Sequence, residues 1–404
     1  MKALGLSGTS KQYIAYLAIL NLGFFIFHSY YIIYLRANGL SYTDIGVIYA
    51  AYFIALAILN LVAGNFADRH GRKKAIIIGG MINVVGFLVY GLSSSFELFL
   101  LAELILAGSA ALIGGTVEAW LVDALKERKR PAEAARTFPL NSSVSNILGI
   151  VGGVIGSVLA AIALNLPMLA AAAFVGLATV IAFLLFQENF GERAHLFSQL
   201  IKQSFAHFRH SPALKNLTYA EMWRNSAVVV YLIIYQPYMV TVGLGEEYLG
   251  VFFSLLMIST AAGNLSSMVL ADRIGRHRLL ALSCVVLFAS FILQPLVHDF
   301  ALSGLLFAMS GFTNGLALPT VMTWRNSLIP SRIRASTLAI LSSLTNLAIA
   351  AMSLGLGPVI DSSSLQAAMY VGAILAILAV PFYFRARRRS DQEVEGLREG
   401  SASI

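Results

Sequence analysis

Apolar stretches of about 18 residues or more recur along nearly the whole chain. Each is long enough to cross, as an α-helix, the roughly 30 Å hydrocarbon core of a bilayer. Only 12% of the residues are charged, whereas a soluble domain carries roughly 25%. The sequence therefore predicts an integral membrane protein of the all-α class and excludes a soluble enzyme.

Hydropathy, together with the Gly, Pro and charged residues between the stretches, predicts twelve spans. They lie near residues 13–35, 43–63, 75–93, 97–125, 138–163, 167–187, 219–242, 247–270, 279–297, 300–324, 334–357 and 365–384. The predicted domains are an N-terminal six-helix bundle at 1–187, a cytoplasmic linker at 188–218, a C-terminal six-helix bundle at 219–385 and a cytoplasmic polar tail at 386–404.

The basic residues are distributed unevenly between the two faces of this topology. Of the 28 Lys and Arg residues, all but Arg36 and Arg224 are assigned to the N-terminus, alternate connections and the C-terminal tail. The positive-inside rule therefore predicts that both termini are cytoplasmic. Membrane orientation also accounts for the net charge of +8, so no nucleic-acid partner is expected.

The long connection at 188–218 contains apolar residues at helical spacing beside Lys202 and Arg209. They are Leu196, Phe197, Leu200, Ile201, Phe205 and Phe208. This pattern predicts an amphipathic helix along the inner membrane surface. A flexible linker is the alternative.

The chain matches itself at an offset of 204 residues. Tyr31 aligns with Tyr235, Tyr34 with Tyr238, Gly46 with Gly250, Asp68 with Asp272, Arg72 with Arg276 and Trp120 with Trp324. Two parallel six-helix repeats are typical of transporters that open a central site alternately to either side of the membrane.

The connection after the second span carries a specific motif. Its sequence, Gly-Asn-Phe-Ala-Asp-Arg-His-Gly-Arg-Lys-Lys at 64–74, resembles the signature loop of the major facilitator superfamily, G-x-L-[AGS]-D-[RK]-x-G-R-[RK]. A degenerate copy follows at 268–278. The resemblance covers the whole chain and implies a twelve-helix secondary transporter that works as a monomer.

The resemblance also implies a cytoplasmic gate. Its predicted residues are Gly64, Asp68, Arg69, Gly71, Arg72, Lys73, Asp123, Asp272, Arg276 and Arg334. Arg72 is expected to reach Asp123, and Asp68 is expected to approach the start of the eleventh helix near Arg334, where a helix N-terminus attracts an anion. Asp272 and Arg276 are expected to repeat the arrangement. The alternative is that these charges only orient the loops.

Few ionisable residues lie deep inside the spans, where unpaired charges are costly and are functional candidates by default. Glu103 and Glu118 lie in the fourth span, and Glu221 and Arg224 lie in the seventh. All four are candidates for proton coupling, with Glu118 and Arg224 at similar predicted depth. The alternative makes Glu118 structural and Glu221 the partner of Arg224, because i, i+3 residues meet on a helix surface.

The resemblance implies that helices one, four, seven and ten line the cavity. The predicted cavity residues are Asn21, His28, Tyr31, Tyr231, Tyr235, Gln236, Asn314 and Trp324. Such residues offer stacking and hydrogen bonds without charge. Tyr34 and Tyr238, nearer the outer interface, are expected to be structural, and the alternative for His28 is a histidine that only packs. The glycines of the fifth span, at 149–156, predict close helix contact and partly resemble an antiporter motif that has lost its proline.

These patterns predict a secondary transporter of a small organic solute, driven by protons, that exports lipophilic or cationic compounds from the cell. A carrier of a sugar or another single metabolite is the alternative. The chain has one cysteine, Cys284, and no cluster of metal ligands or phosphate-binding loop, so no cofactor, metal or enzymatic activity is expected. The expected partners are the solute, protons and the bilayer of the cytoplasmic membrane.

Overall fold

The structure, a computed structural model, describes residues 6–190 and 197–402, with side chains described at 6–190 and 199–390. Within these ranges the chain is almost entirely helical and contains no strand. The N-terminal helices are α1 (Gly8–His28), α2 (Tyr31–Ala37), α3 (Tyr42–His70), α4 (Arg72–Leu92), α5 (Phe96–Ile113), α6 (Thr116–Glu127), α7 (Ala134–Ile162) and α8 (Leu166–Leu185).

The remaining helices follow the long connection. They are α9 (Phe197–His210), α10 (Pro212–Thr241), α11 (Leu249–Ile274), α12 (Arg276–Leu293), α13 (Phe300–Leu328), α14 (Arg334–Ser362) and α15 (Leu365–Ala402). Serine side chains cap α1 and α10 at matching repeat positions: Ser7 accepts from the Ser10 N–H, and Ser211 accepts from the Leu214 N–H. These caps satisfy backbone donors that a helix leaves open at its start.

Eleven helical segments in the described residues are long and apolar enough to cross a membrane. The seventh predicted span lies in α10, which has 30 residues but is not among them. Its first half carries Glu221, Arg224 and Asn225, which lower its hydropathy. The count of twelve spans and the cytoplasmic position of both termini therefore stay predictions.

The chain divides into two compact units. The first comprises Met1–His195 and Leu244–Ile258, and the second comprises Leu196–Gly243 and Ser259–Ile404. In the first unit α1 packs against α7 and α8, and α4 packs against α5 and α8. In the second unit α10 packs against α13, α14 and α15. The predicted domain boundaries stay predictions.

The glycines of α7 allow the close contacts that their spacing predicts. A Cβ atom on Gly152 would lie 2.7 Å from the Cβ of Phe25 in α1, and one on Gly153 would meet the backbone oxygen of Gly250. Both contacts lie within the first unit. Only a residue without a side chain permits this approach.

The first and fourth predicted spans are not continuous helices. The first is interrupted between α1 and α2, and the fourth between α5 and α6, where Gly115 has a φ of 74°. Glycine adopts this conformation without the steric cost of a side chain. The expectation that Glu103 and Glu118 share one helical face is therefore wrong, since it assumed an unbroken helix.

A helix also forms in the predicted linker. On α9, the Ser204 hydroxyl donates to the Ile333 carbonyl, and the His207 ring lies 3.0 Å from the Leu328 carbonyl oxygen. Leu200 and Phe208 pack against the buried cluster beneath it. Leu196 lies outside the described residues, and the position of α9 on a membrane surface stays a prediction.

Candidate functional site

Arg72, the first residue of α4, connects the motif at 64–74 to α6. Its guanidinium pairs with Asp123, donates to the Ala119 carbonyl at 2.6 Å and lies 3.2 Å from Asp68. Arg72 is only 8% exposed, so a neutral side chain would leave both carboxylates without their shared partner. The predicted contact between Arg72 and Asp123 is confirmed.

Glu188 belongs to the same cluster, although the sequence placed it in the linker. Its carboxylate accepts from the backbone N–H groups of Lys73 and Lys74, at 2.8 and 3.2 Å, and thereby caps α4. Gly71 precedes this helix with a φ of 102°, and a Cβ there would lie 2.5 Å from that carboxylate group. Position 71 therefore requires glycine for two reasons: its backbone φ is positive, and the Glu188 carboxylate occupies the space that a side chain would need.

The other gate residues make fewer contacts. Gly64 and Arg69 are exposed in the last turns of α3, and the Lys73 ammonium lies 5.7 Å from the Phe183 ring. Arg334 donates to the Ser331 hydroxyl and the Ile329 carbonyl. The predicted approach of Asp68 to this region stays a prediction.

The second copy of the motif does not repeat the ion pair. In the described part of the chain, Asp272 and Arg276 form no salt bridge within 4.0 Å. The repeat explains the difference, because the position equivalent to Asp123 is Ser327. At this position the fourth helix of the second repeat therefore offers Arg276 a hydroxyl and not a carboxylate.

Glu103 lies inside the N-terminal helices and is 6% exposed. Its Oε1 atom accepts from the hydroxyls of Tyr31, at 2.5 Å, and Tyr90, at 3.0 Å. The two hydroxyls are also 3.0 Å apart. Tyr31, predicted as a cavity residue, is therefore a buried partner of this carboxylate.

Glu118 has a different environment in the first turn of α6. It is exposed, and its carboxylate lies near its own backbone N–H and that of Gly115. Within the described residues it forms no salt bridge. The break at Gly115 thus places a carboxylate at the positive end of a helix and leaves it without a cationic partner.

Glu221 and Arg224 form a buried pair in α10, with exposures of 2% and 4%. Arg224 donates to both carboxylate oxygens, at 3.2 and 3.0 Å. It also donates to Asn314 and Asn225, and the Tyr383 hydroxyl donates to Glu221 at 2.5 Å. The alternative prediction, that Glu221 is the partner of Arg224, is confirmed.

Arg325 is a residue that the sequence reasoning missed. It was counted among the loop charges, but it lies inside α13 and interacts electrostatically with Glu221. Its Nε and Nη2 atoms are buried and have no hydrogen-bond partner among the described residues. Two arginines therefore lie near one carboxylate.

The remaining candidates in α1, Asn21 and His28, differ in exposure. Asn21 is partly buried and donates to the Ser145 hydroxyl at 3.1 Å. His28 is exposed and packs edge-on against the rings of Phe27 and Tyr31. These contacts leave His28 the more accessible of the two predicted residues.

The aromatic candidates in the C-terminal helices are buried. Tyr231 and Tyr235 stack with ring centroids 5.7 Å apart, and Gln236 donates to the Tyr235 hydroxyl at 2.6 Å. Trp324 packs in an apolar cluster with Leu217 and other core residues. The structure brings the tyrosines and Gln236 together but assigns Trp324 to the core.

The family model of the Major Facilitator Superfamily matches residues 14–244 and 224–404. The chain belongs to this superfamily. Its members are transporters, so the chain is a multi-pass membrane transporter and not an enzyme.

Curated relatives in the superfamily are multidrug resistance proteins. Multidrug resistance proteins 1 and 2 of Bacillus subtilis (strain 168) are 31% and 29% identical over 37% and 42% of this chain. Quinolone resistance protein NorA of Staphylococcus aureus (strain MRSA252) is 26% identical over 38% of it. The matches span about two fifths of the length of these relatives, at 37%, 42% and 37%.

Solved structures with the same fold include transporters of different solutes. The nucleoside transporter NupG has a TM-score of 0.77 at 14% identity and covers 94% of this chain and 99% of its own. An autoinhibited peptide transporter of the POT family has a TM-score of 0.79 at 14% identity and covers 95% and 97%. These similarities support the fold alone.

Proposed function

We propose that the chain is a twelve-span secondary transporter that exports lipophilic or cationic compounds in exchange for protons, with Glu118 as the proton-binding group. The exposure of Glu118 carries this proposal. Of the four predicted coupling residues it alone is exposed, while Glu103, Glu221 and Arg224 are buried among fixed partners. A carboxylate without a salt bridge is free to bind a proton or a cationic solute in turn.

The multidrug resistance relatives support export, although they match only part of the chain. Proton drive supplies enough energy, since one charge crossing 100 mV contributes about 2.3 kcal/mol. That energy sustains a solute gradient of up to about 50-fold. Export without coupling would only equilibrate the solute.

The test uses the purified full chain in liposomes with a fluorescent lipophilic cation and an imposed pH gradient. Wild type is expected to accumulate the cation against its gradient, whereas Glu118→Gln is expected to lose accumulation and keep exchange of labelled for unlabelled solute. Glu97→Gln is the matched control, because Glu97 is an exposed carboxylate at the start of α5. Equal loss in both variants, or accumulation by Glu118→Gln, would contradict the role of Glu118.

Substrate class is tested in an efflux-deficient bacterium. Expression of wild type is expected to protect cells from toxic lipophilic cations, and Glu118→Gln is expected to remove that protection at equal membrane expression. Sensitisation to a toxic sugar analogue would instead indicate the metabolite carrier. Labelling of single cysteines introduced at the N- and C-termini, from either side of the membrane and in a Cys284→Ser background, tests the proposed cytoplasmic termini. Its result is independent of substrate.

A further inference from the structure

An apolar groove of about 390 Å³ lies between α10, α14 and α15. Its lining includes Tyr219, Trp223, Ala351 and Leu375. Tyr219 and Trp223 are 43% and 37% exposed, so the groove opens at the surface of the second unit. In a membrane protein an exposed apolar surface of this kind faces lipid.

A second cavity, of about 430 Å³, lies on two of the same helices. It is lined by Asn216 of α10 and by Arg385, Arg388 and Arg389 of α15. The Arg385 guanidinium lies 5.4 Å from the centroid of the Phe382 ring. This contact positions one of the lining cations beside an aromatic ring.

The two cavities follow one another along the same face of α10. On α10, Asn216, Tyr219, Trp223 and Ser226 recur every three or four residues and therefore lie on one face. Between the cavities the rings of Tyr219 and Phe382 meet with centroids 5.9 Å apart. From Asn216 to Ser226 this face extends about 15 Å along the helix, which is half of a roughly 30 Å hydrocarbon core.

We propose that this surface binds a phospholipid with an anionic headgroup from the cytoplasmic leaflet. The arginines bind the phosphate, because guanidinium matches phosphate with paired hydrogen bonds. One acyl chain lies in the apolar groove, and the face from Asn216 to Ser226 as a whole has about the depth of a single leaflet. Tyr219 and Trp223 lie in the groove that the chain enters, and clusters of basic residues next to a membrane span are typical of anionic-lipid recognition.

The test measures binding of phosphatidylglycerol to the purified full chain by native mass spectrometry. Arg385→Gln combined with Arg388→Gln is expected to weaken binding about 25-fold, since each basic residue near the membrane surface contributes about fivefold. Arg278→Gln combined with Arg332→Gln is the matched control, because it removes two exposed charges elsewhere in the second unit. This control is expected to change binding less than twofold.

The groove is tested separately. Ala351→Trp fills it without changing the charge, and it is expected to weaken binding of long-chain phosphatidylglycerol while leaving a six-carbon-chain analogue unaffected. Unfolding temperatures verify that each variant is folded. Equal weakening by both arginine pairs, equal wild-type binding of phosphatidylcholine, or unchanged long-chain binding by Ala351→Trp would each overturn the proposal.

Discussion

The N-terminal and C-terminal helices share a hydrogen-bond scaffold but differ in their buried charge. The Tyr34 hydroxyl donates to the carbonyls of residues 90 and 93, and the Tyr238 hydroxyl donates to those of residues 294 and 297. All three positions are related by the repeat of 204 residues. The duplication thus preserved a contact that depends on backbone geometry.

The charged groups do not follow the repeat. Phe307 stands at the position equivalent to Glu103, and Leu17 and Leu20 stand at those equivalent to Glu221 and Arg224. Each half therefore buries a carboxylate with tyrosine donors, but on different helices. The shared scaffold tolerates a buried polar group wherever local partners satisfy its hydrogen bonds.

The largest expected effect concerns the C-terminal pair. Glu221→Gln leaves Arg224 and Arg325 buried without a counter-charge, and removal of one partner of a buried pair costs about 3–5 kcal/mol. The free energy of unfolding in detergent measures this loss. Arg325→Gln is the control and is expected to cost little, because one cation and one carboxylate remain. A loss as large in the control would show that Arg325 is an equal partner.

A smaller effect is expected in the N-terminal half. Glu103→Ala removes the acceptor of two buried hydroxyls, at a cost of about 1–3 kcal/mol for groups left unsatisfied. Glu103→Gln keeps an acceptor oxygen and is expected to lose less. The same unfolding measurement compares them. If both variants lost the same stability, the charge of Glu103 and not its hydrogen bonds would carry the interaction.

Because Tyr34 and Tyr238 make equivalent hydrogen bonds, we expect the two halves to lose equal stability when either hydroxyl is removed. Tyr34→Phe and Tyr238→Phe each remove hydroxyl donation to two carbonyls, and each is expected to destabilise the protein by about 1 kcal/mol. Thermal unfolding midpoints of the two variants should therefore shift alike. A shift confined to one variant would break the symmetry that these contacts indicate.

The smallest expected change in stability comes from adding the missing carboxylate at the second copy of the motif. Ser327→Asp supplies the carboxylate that Asp123 provides in the first copy, and a new pair with Arg276 is expected to contribute up to about 1 kcal/mol. A double-mutant cycle with Arg276→Gln isolates that contribution. No coupling between the two changes would mean that the second loop holds Arg276 out of reach.

The membrane class and the superfamily were predictable from the sequence, and the resemblance to the superfamily implied the contact between Arg72 and Asp123. Span length, charge asymmetry and a specific motif can each be read from consecutive residues, without knowledge of how the helices pack. The i, i+3 spacing also indicated the pair of Glu221 and Arg224. The predicted shared face of Glu103 and Glu118 was wrong, because a break at Gly115 leaves hydropathy unchanged.

The sequence by itself determined that the chain consists of apolar helices with a duplicated pattern, because periodicity and composition are properties of consecutive residues. Only the tertiary structure decided which polar residues are satisfied. Glu188 reaches α4 from the linker, Tyr383 of α15 reaches Glu221, and Arg325 lies inside a helix and not in a loop. These outcomes depend on contacts between residues distant in the chain, for which the local pattern carries no signal.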